Sequence, residues 1–155
     1  MKRPNVQLTE HFWLSEFTKS ATAEKLGVDN TPNDEQCWHI FQLAWLLEKL
    51  RVAWGDGIQI TSGIRLFDIK GASSTSAHPI GFAADIVPTN GKMVTFKVFC
   101  RNFLRSHNLP FDQLIDEKRA DGAEWVHIGL FNRKGEQRRQ YLITTDGVNY
   151  SPLRF

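Results

Sequence analysis

An α+β fold, with N-terminal helices packed on a small, mainly antiparallel sheet, is predicted by three observations. Apolar residues recur at helical spacing between residues 14 and 54, the 3.6-residue period of helices with one buried face. Beyond residue 58 they gather instead in short runs bounded by Gly, Pro, Asn and Asp, the pattern of buried strands. One later helical period, at residues 93–106, interrupts those runs, so helices come first and strands cluster afterwards, an order typical of α+β domains.

The first helix starts at Leu14-Ser-Glu-Phe17, with Ser15 placed to cap and Glu16 near the positive end of the helix dipole. Helical character continues from Ser20 to Leu26 and closes at Gly27, a residue suited to the left-handed position after a helix. Thr31-Pro32 restarts the chain as N-cap and first helical residue, followed by Asp34 and Glu35. Cys37, Ile40, Phe41, Ala44, Leu47, Leu50 and Trp54 then share one helical spacing, which ends the longest helix near Trp54, before Gly55-Asp-Gly57. A strand at residues 58–61 leads into a connection over residues 62–77 rich in Gly, Ser and Thr, the kind of loop that carries sites rather than core. The next strand covers residues 82–87 and is stopped by Pro88, with a turn at Pro88-Thr-Asn-Gly91. Val94, Val98, Phe99 and Phe103 place a helix over residues 93–106. Residues 109–115 lead into another strand, and Ala120-Asp-Gly122 turns the chain back into one at residues 124–130. A last strand at residues 141–145 precedes the turn Asp146-Gly147.

The 155 residues, 41% of them hydrophobic, suit a single domain over residues 1–155 with a sizeable core. A formal net charge of +2 is too small to argue for a nucleic-acid partner. Arg133-Lys134 and Arg138-Arg139 read as the solvated face of a hairpin. No apolar stretch reaches the length of a bilayer span, so membrane insertion is not expected. The first residues carry positive charge with no apolar core behind it, so a signal peptide is not expected. Cys37 and Cys100 lie in helical patterns without metal-type spacing and are read as reduced, buried packing residues.

The stretch Ser76-Ala-His-Pro-Ile-Gly-Phe-Ala-Ala-Asp85 carries the chemistry. Asp85 lies within an apolar strand, where an isolated carboxylate is very costly unless it is paired, hydrogen-bonded or bound to metal. His127 sits inside a second apolar strand, Glu124-Trp-Val-His-Ile-Gly-Leu. Two imidazoles and one carboxylate suit zinc with a fourth position left to water, so His78, Asp85 and His127 are the candidate ligands of one ion. His11, His39 and His107 occupy polar or helix-surface contexts and are not assigned to the site.

Four words, Ile60-Thr-Ser-Gly-Ile-Arg65, the His78–Asp85 stretch above, Asp112-Gln-Leu-Ile-Asp-Glu117 and Trp125-Val-His-Ile128, occur in an order that resembles the zinc D-Ala-D-Ala peptidase family. That family includes D,D-carboxypeptidases, vancomycin-resistance dipeptidases and phage L-alanyl-D-glutamate endolysins. The opening Leu14-Ser-Glu-Phe and the closing Arg138-Arg-Gln resemble its short phage-type members. The resemblance implies the hedgehog/DD-peptidase fold and zinc held by His78, Asp85 and His127. It also implies Arg65 as the group that stabilises charge on the substrate carbonyl, Glu124 as the catalytic base, and Ser76 as a group that orients ligand or substrate. Without the resemblance Arg65 would be read as a surface arginine paired with Asp68.

In a flat strand Glu124 and His127 point to opposite faces, so a bulge or junction near Gly122 is expected. Glu117, on the preceding strand, is the reserve base. The implied activity is a zinc metallopeptidase that cuts the stem peptide of peptidoglycan, of D-Ala-D-Ala carboxypeptidase or L-Ala-D-Glu endopeptidase type, in phage lysis. Such an enzyme is expected to be a monomer, made in the bacterial host cytoplasm without a signal peptide. It would act on the wall after release or as part of the virion, with the loop at residues 66–75 choosing the bond. The alternative is an inactive metal-binding module of the same fold that recognises wall peptide or serves in the virion.

Overall fold

The computed structural model of the protein describes residues 2–67 and 75–154. Helices α1 (Leu14–Thr18), α2 (Ala21–Leu26) and α3 (Asp34–Trp54) precede β1 (Ile58–Ser62), and a 3-10 turn at His78–Ile80 leads into β2 (Ala83–Pro88). Then come α4 (Met93–Ser106), β3 (Gln113–Lys118), β4 (Glu124–Gly129), β5 (Gln140–Thr144) and the short β6 (Ser151–Pro152). The architecture is α+β: a six-stranded sheet in the order β1-β2-β4-β3-β5-β6, antiparallel except where β5 runs parallel to β3. That exception arises because the chain leaving β4 crosses to the free side of β3 instead of turning back on itself.

Alternation divides the sheet. Ala84 and Ile86 of β2, Leu114 of β3, and Val126 and Ile128 of β4 join Ile40, Leu43, Leu47, Phe96, Cys100 and Leu104 from α3 and α4 in one buried core. Side chains one residue out of phase, Asp85, Ile115, Glu117, Trp125 and His127, line a cleft on the opposite face. This is the period-two geometry of a strand at work.

Local chemistry moves several boundaries. Asn33, not Thr31, caps α3: its side chain accepts from the Gln36 amide while Gln36 answers to the Asn33 amide, a reciprocal capping box. Thr31 bonds Asp29 instead. At α1 the Glu16 carboxylate reaches back to the Trp13 amide, and Ser15 makes no cap. Ser20 stands just outside α2 as its N-cap. On α3, Phe41 is exposed along with Trp38 and Trp45, and the buried face is Ile40, Leu43, Ala44, Leu46, Leu47 and Leu50. Cys37 is half-buried, Cys100 buried, and both are free thiols. Among the described residues no helix is long and apolar enough to cross a membrane.

Two contacts fix the segment that follows β1. Gly63 approaches the Phe17 backbone so closely that a Cβ there would lie 2.3 Å from the Phe17 carbonyl oxygen, and Ile64 donates to that same oxygen at 2.8 Å. Asn30, nearly buried, donates from Nδ2 to the carbonyls of Thr18 and Ile64 and accepts from the Leu66 amide, all at 2.9 Å. Arg65 is thus held on both sides. Asn30→Ala should orphan these three backbone groups and destabilise the fold by about 2–4 kcal/mol. The expected readout is a lower urea midpoint at unchanged slope; a loss below about 0.5 kcal/mol would show that water replaces the side chain.

Candidate metal centre and cleft

β2 and β4 pair so that Asp85 lies opposite His127, and the 3-10 turn brings His78 to the same point. His78 Nε2 lies 3.2 Å from His127 Nδ1 and 3.3 Å from Asp85 Oδ1, and His127 Nδ1 lies 3.2 Å from the same carboxylate oxygen. These atoms form a nearly equilateral triangle. Donors about 2.0–2.2 Å from a tetrahedral ion stand roughly 3.3–3.5 Å apart, so the triangle has close to the dimensions of one face of a zinc coordination tetrahedron. Among the described residues these three form the group able to hold a metal ion.

Their protonation suits ligation. His78 Nδ1 donates to the Gly63 carbonyl at 2.7 Å, which leaves the Nε2 lone pair for the ion. Burial pushes the His78 ring down from its ordinary value, against the pull of Asp85, and favours the neutral form. Burial alone would raise the Asp85 carboxyl, but the neighbouring His78 and His127 rings outweigh it and hold the group well below the usual carboxylate range. The second Asp85 oxygen accepts from Arg65 Nη2 at 2.7 Å. Arg65 Nε in turn donates to Ser62 Oγ at 2.8 Å. Arg65 therefore belongs to the site; Asp68 lies outside the described residues. Ser76 Oγ accepts from the His78 amide at 3.2 Å, so this serine braces the turn that carries the histidine.

The two acids part company. The register of β4 runs without a shift against both β2 and β3, so the expected bulge near Gly122 is absent and Glu124 points to the helix face. There its carboxylate meets Lys97 of α4 at 3.2 Å. The irregularity lies instead in β1, between Ile60 and Ser62, beside Asp85. Glu117 faces the cleft, directly across from Trp125. Burial pushes its carboxyl up, and the charge of Asp85 adds to the effect, while His127 and Arg65 oppose it. Glu117 is thus the acid that shares the cleft with the three donors.

The cleft encloses about 710 Å³. One lateral row crosses the sheet beneath it, with Ser62 opposite Asp85, Asp85 opposite His127, His127 opposite Ile115, and Ile115 opposite Leu142. Strands lie about 4.8 Å apart, so Leu142 forms floor roughly 10 Å from the His127 strand. Asn132, Arg138, Val148 and Tyr150 complete the far wall, and none of these was singled out as a site residue from sequence. Arg138 is not the solvated arginine expected there: it grips the buried Asp112 through Nε and Nη2, both at 2.8 Å. A second hollow of about 610 Å³, between the N-terminal segment and α2, contains none of the candidate site residues.

The remaining histidines serve elsewhere. His11 pairs with Glu48, His39 bonds the Ile80 carbonyl and stacks on Phe82, and His107 packs on Phe103 at the end of α4. None of the curated proteins matches the chain. The model of a peptidase family described as Peptidase M15 matches residues 10–128, a span that contains His78, Asp85, His127, Arg65 and Glu117. A donor triangle of zinc dimensions, an acid beside it and a family match over three quarters of the sequence agree, and the chain belongs to the peptidase M15 family.

Proposed function

We propose that this M15 peptidase hydrolyses a peptide bond in the stem peptide of bacterial peptidoglycan, as a D-Ala-D-Ala carboxypeptidase or an L-Ala-D-Glu endopeptidase, and serves a phage in cell-wall lysis. The observation that carries the peptidase reading is the triangle of His78 Nε2, Asp85 Oδ1 and His127 Nδ1 with Glu117 in the same cleft. The peptidoglycan substrate and the phage role rest on the four sequence words and on the likeness to short phage-type members.

M15 peptidases are zinc-dependent, and an ion held by these three side chains supplies a Lewis acid and an acidified water. Glu117 accepts the proton of the attacking water and returns it to the leaving amine. Its buried setting keeps its proton affinity above that of a solvated carboxylate, as a base working near neutrality requires. Arg65 keeps Asp85 oriented through Nη2, and its Nη1 is without a partner among the described residues. On this reading it stabilises negative charge as this develops on the carbonyl oxygen, an effect worth about 3–4 kcal/mol in comparable sites.

Zinc should bind the folded chain and raise its melting temperature. At a hundredfold excess over the dissociation constant the stabilisation is about 2.7 kcal/mol, or about 5–11 °C in a chain of this size. Identical melting with zinc and with chelator, at matched ionic strength, would remove the metal site. For the base, Glu117→Gln should lower kcat by about 10²-fold or more at unchanged zinc content. Glu124→Gln should leave kcat within about threefold and cost about 1–3 kcal/mol of stability, because it removes the half-buried carboxylate that Lys97 pairs with. The reverse ranking would return the base role to Glu124. Mass spectrometry of peptidoglycan digested by the zinc-loaded protein should show either loss of a terminal D-Ala or new amino termini on D-Glu. Zinc bound tightly with neither product formed would support the inactive module instead.

A further inference from the structure

An indole donates one hydrogen bond and accepts none, and the donor of Trp125 is unspent. Its Nε1 is buried, with no hydrogen-bond partner among the described residues. A buried donor without an acceptor is unfavourable, so an acceptor that can swing up to it matters. The ring itself is held in place. Arg119 lies over it, with the guanidinium carbon 5.5 Å from the ring centroid, and Arg119 is tied to Asp121 at 3.0 Å.

Strand register names the acceptor. On the β2 side the paired ladder of β4 ends with Ile86 opposite Val126, one residue short of Trp125. On the β3 side the residue directly opposite Trp125 is Glu117, and both side chains line the cleft. Opposite residues on one face of an antiparallel pair have Cβ atoms about 4.5–5.5 Å apart, a gap that an indole and a glutamate both span. The other acids of the cleft are engaged elsewhere: Arg138 holds Asp112, and Arg65 and the two imidazoles hold Asp85. Burial and the Asp85 charge push the Glu117 carboxyl up, and the Trp125 indole is among the groups that oppose them.

We infer that Trp125 is a positioning residue for Glu117, its indole N–H holding one carboxylate oxygen so that the other is left to move the proton. The inference rests on the peptidase reading with Glu117 as base, and it adds what aims that base. The terminal torsion of a glutamate is broad, so a small turn of Glu117 brings an oxygen to the indole. In the cycle the unbound oxygen takes a proton from the attacking water and becomes a hydroxyl. The bound oxygen accepts from the indole in both states and keeps the carboxyl plane fixed. The hydroxyl then gives its proton to the leaving amine, and the carboxylate is restored. Without the N–H the carboxyl turns freely, and only a fraction of its orientations face the reacting atoms.

The test joins spectroscopy of the indole to kinetics, both on the zinc-loaded protein. A nitrogen–proton correlation spectrum resolves the indoles of the five tryptophans, and Trp125→Phe identifies one of them by its loss. Glu117→Gln should move that signal more than the other four, and Glu124→Gln should leave it in place. Trp125→Phe keeps an aromatic ring beneath Arg119. It should lower kcat on stem peptide about tenfold, the worth of a hydrogen bond to a charged group, with KM within about twofold and zinc content unchanged. In a Glu117→Gln background the same substitution should cost less than about twofold, because no base is left to aim. A loss of equal size in both backgrounds is what a merely structural tryptophan would give, and it overturns the inference. So does an indole signal indifferent to Glu117→Gln, or a Trp125→Phe protein with kcat within about twofold of the parent. Should Trp125→Phe fail to fold, its signal is assigned by elimination through Trp13→Phe, Trp38→Phe, Trp45→Phe and Trp54→Phe, and the spectrum decides. If no stem peptide is cut while the indole follows Glu117, the peptidase reading falls and the Trp125–Glu117 pair stands.

Discussion

Asp85 is 6% exposed in the middle of the sheet, and an ionised carboxylate there is tolerable only while its oxygens are satisfied. Oδ1 faces His78 and His127; Oδ2 faces Arg65. Much of the surrounding structure meets that requirement. β4 must pair with β2 in the register that sets His127 opposite Asp85. The 3-10 turn must deliver His78, whose ring is oriented by the Gly63 carbonyl. Gly63 can lie there only because it lacks a side chain that would strike Phe17. Asn30 then braces the strand exit that carries Arg65. The N-terminal helices thus do more than cover the sheet: through Phe17 and Asn30 they hold in place the groups that neutralise Asp85.

The same alternation that gathers these groups also sorts the acids. Odd and even positions of β3 and β4 belong to different faces, and the unshifted register of β4 leaves no residue free to change sides. Glu124 therefore joins the buried Asp116 with Lys97 and Arg101 of α4, an ionic layer between helix and sheet. Burial raises the Asp116 carboxyl, and Lys97 and Arg101 oppose the shift while Glu124 adds to it. The layer is a structural device in which Glu124 helps balance two cations. Glu117, one residue after Asp116, inherits the cleft.

Much of this was legible in the sequence, and the rest was hidden for identifiable reasons. Helices, strands and the three donors follow from periodicity and from a carboxylate that an apolar strand cannot hold alone. The parity argument for Glu124 was also available, since an odd separation from His127 places it on the other face unless a bulge intervenes. What sequence does not reveal is where a bulge falls, because bulges depend on the partner strand; here it sits in β1, opposite Asp85. The caps went astray where two polar residues compete: Asn33 wins over Thr31 because Gln36 can answer it three residues on. The parallel β5 and the role of Gly63 are products of tertiary approach, and no local pattern encodes them.

The cleft also divides by strand. Residues 10–128, the span matched to the family, contain the donor triangle, Arg65 and Glu117, and these stand on β2, β3, β4 and the segments that lead into them. The floor beyond Ile115 is Leu142, and the wall is Asn132, Arg138, Val148 and Tyr150, from the chain that crosses over β3 and returns. By running β5 parallel on the far side of β3, the fold sets a second group of side chains about two strand spacings, or roughly 10 Å, from the ligands. Between the two groups the floor of the cleft is Ile115 and Leu142.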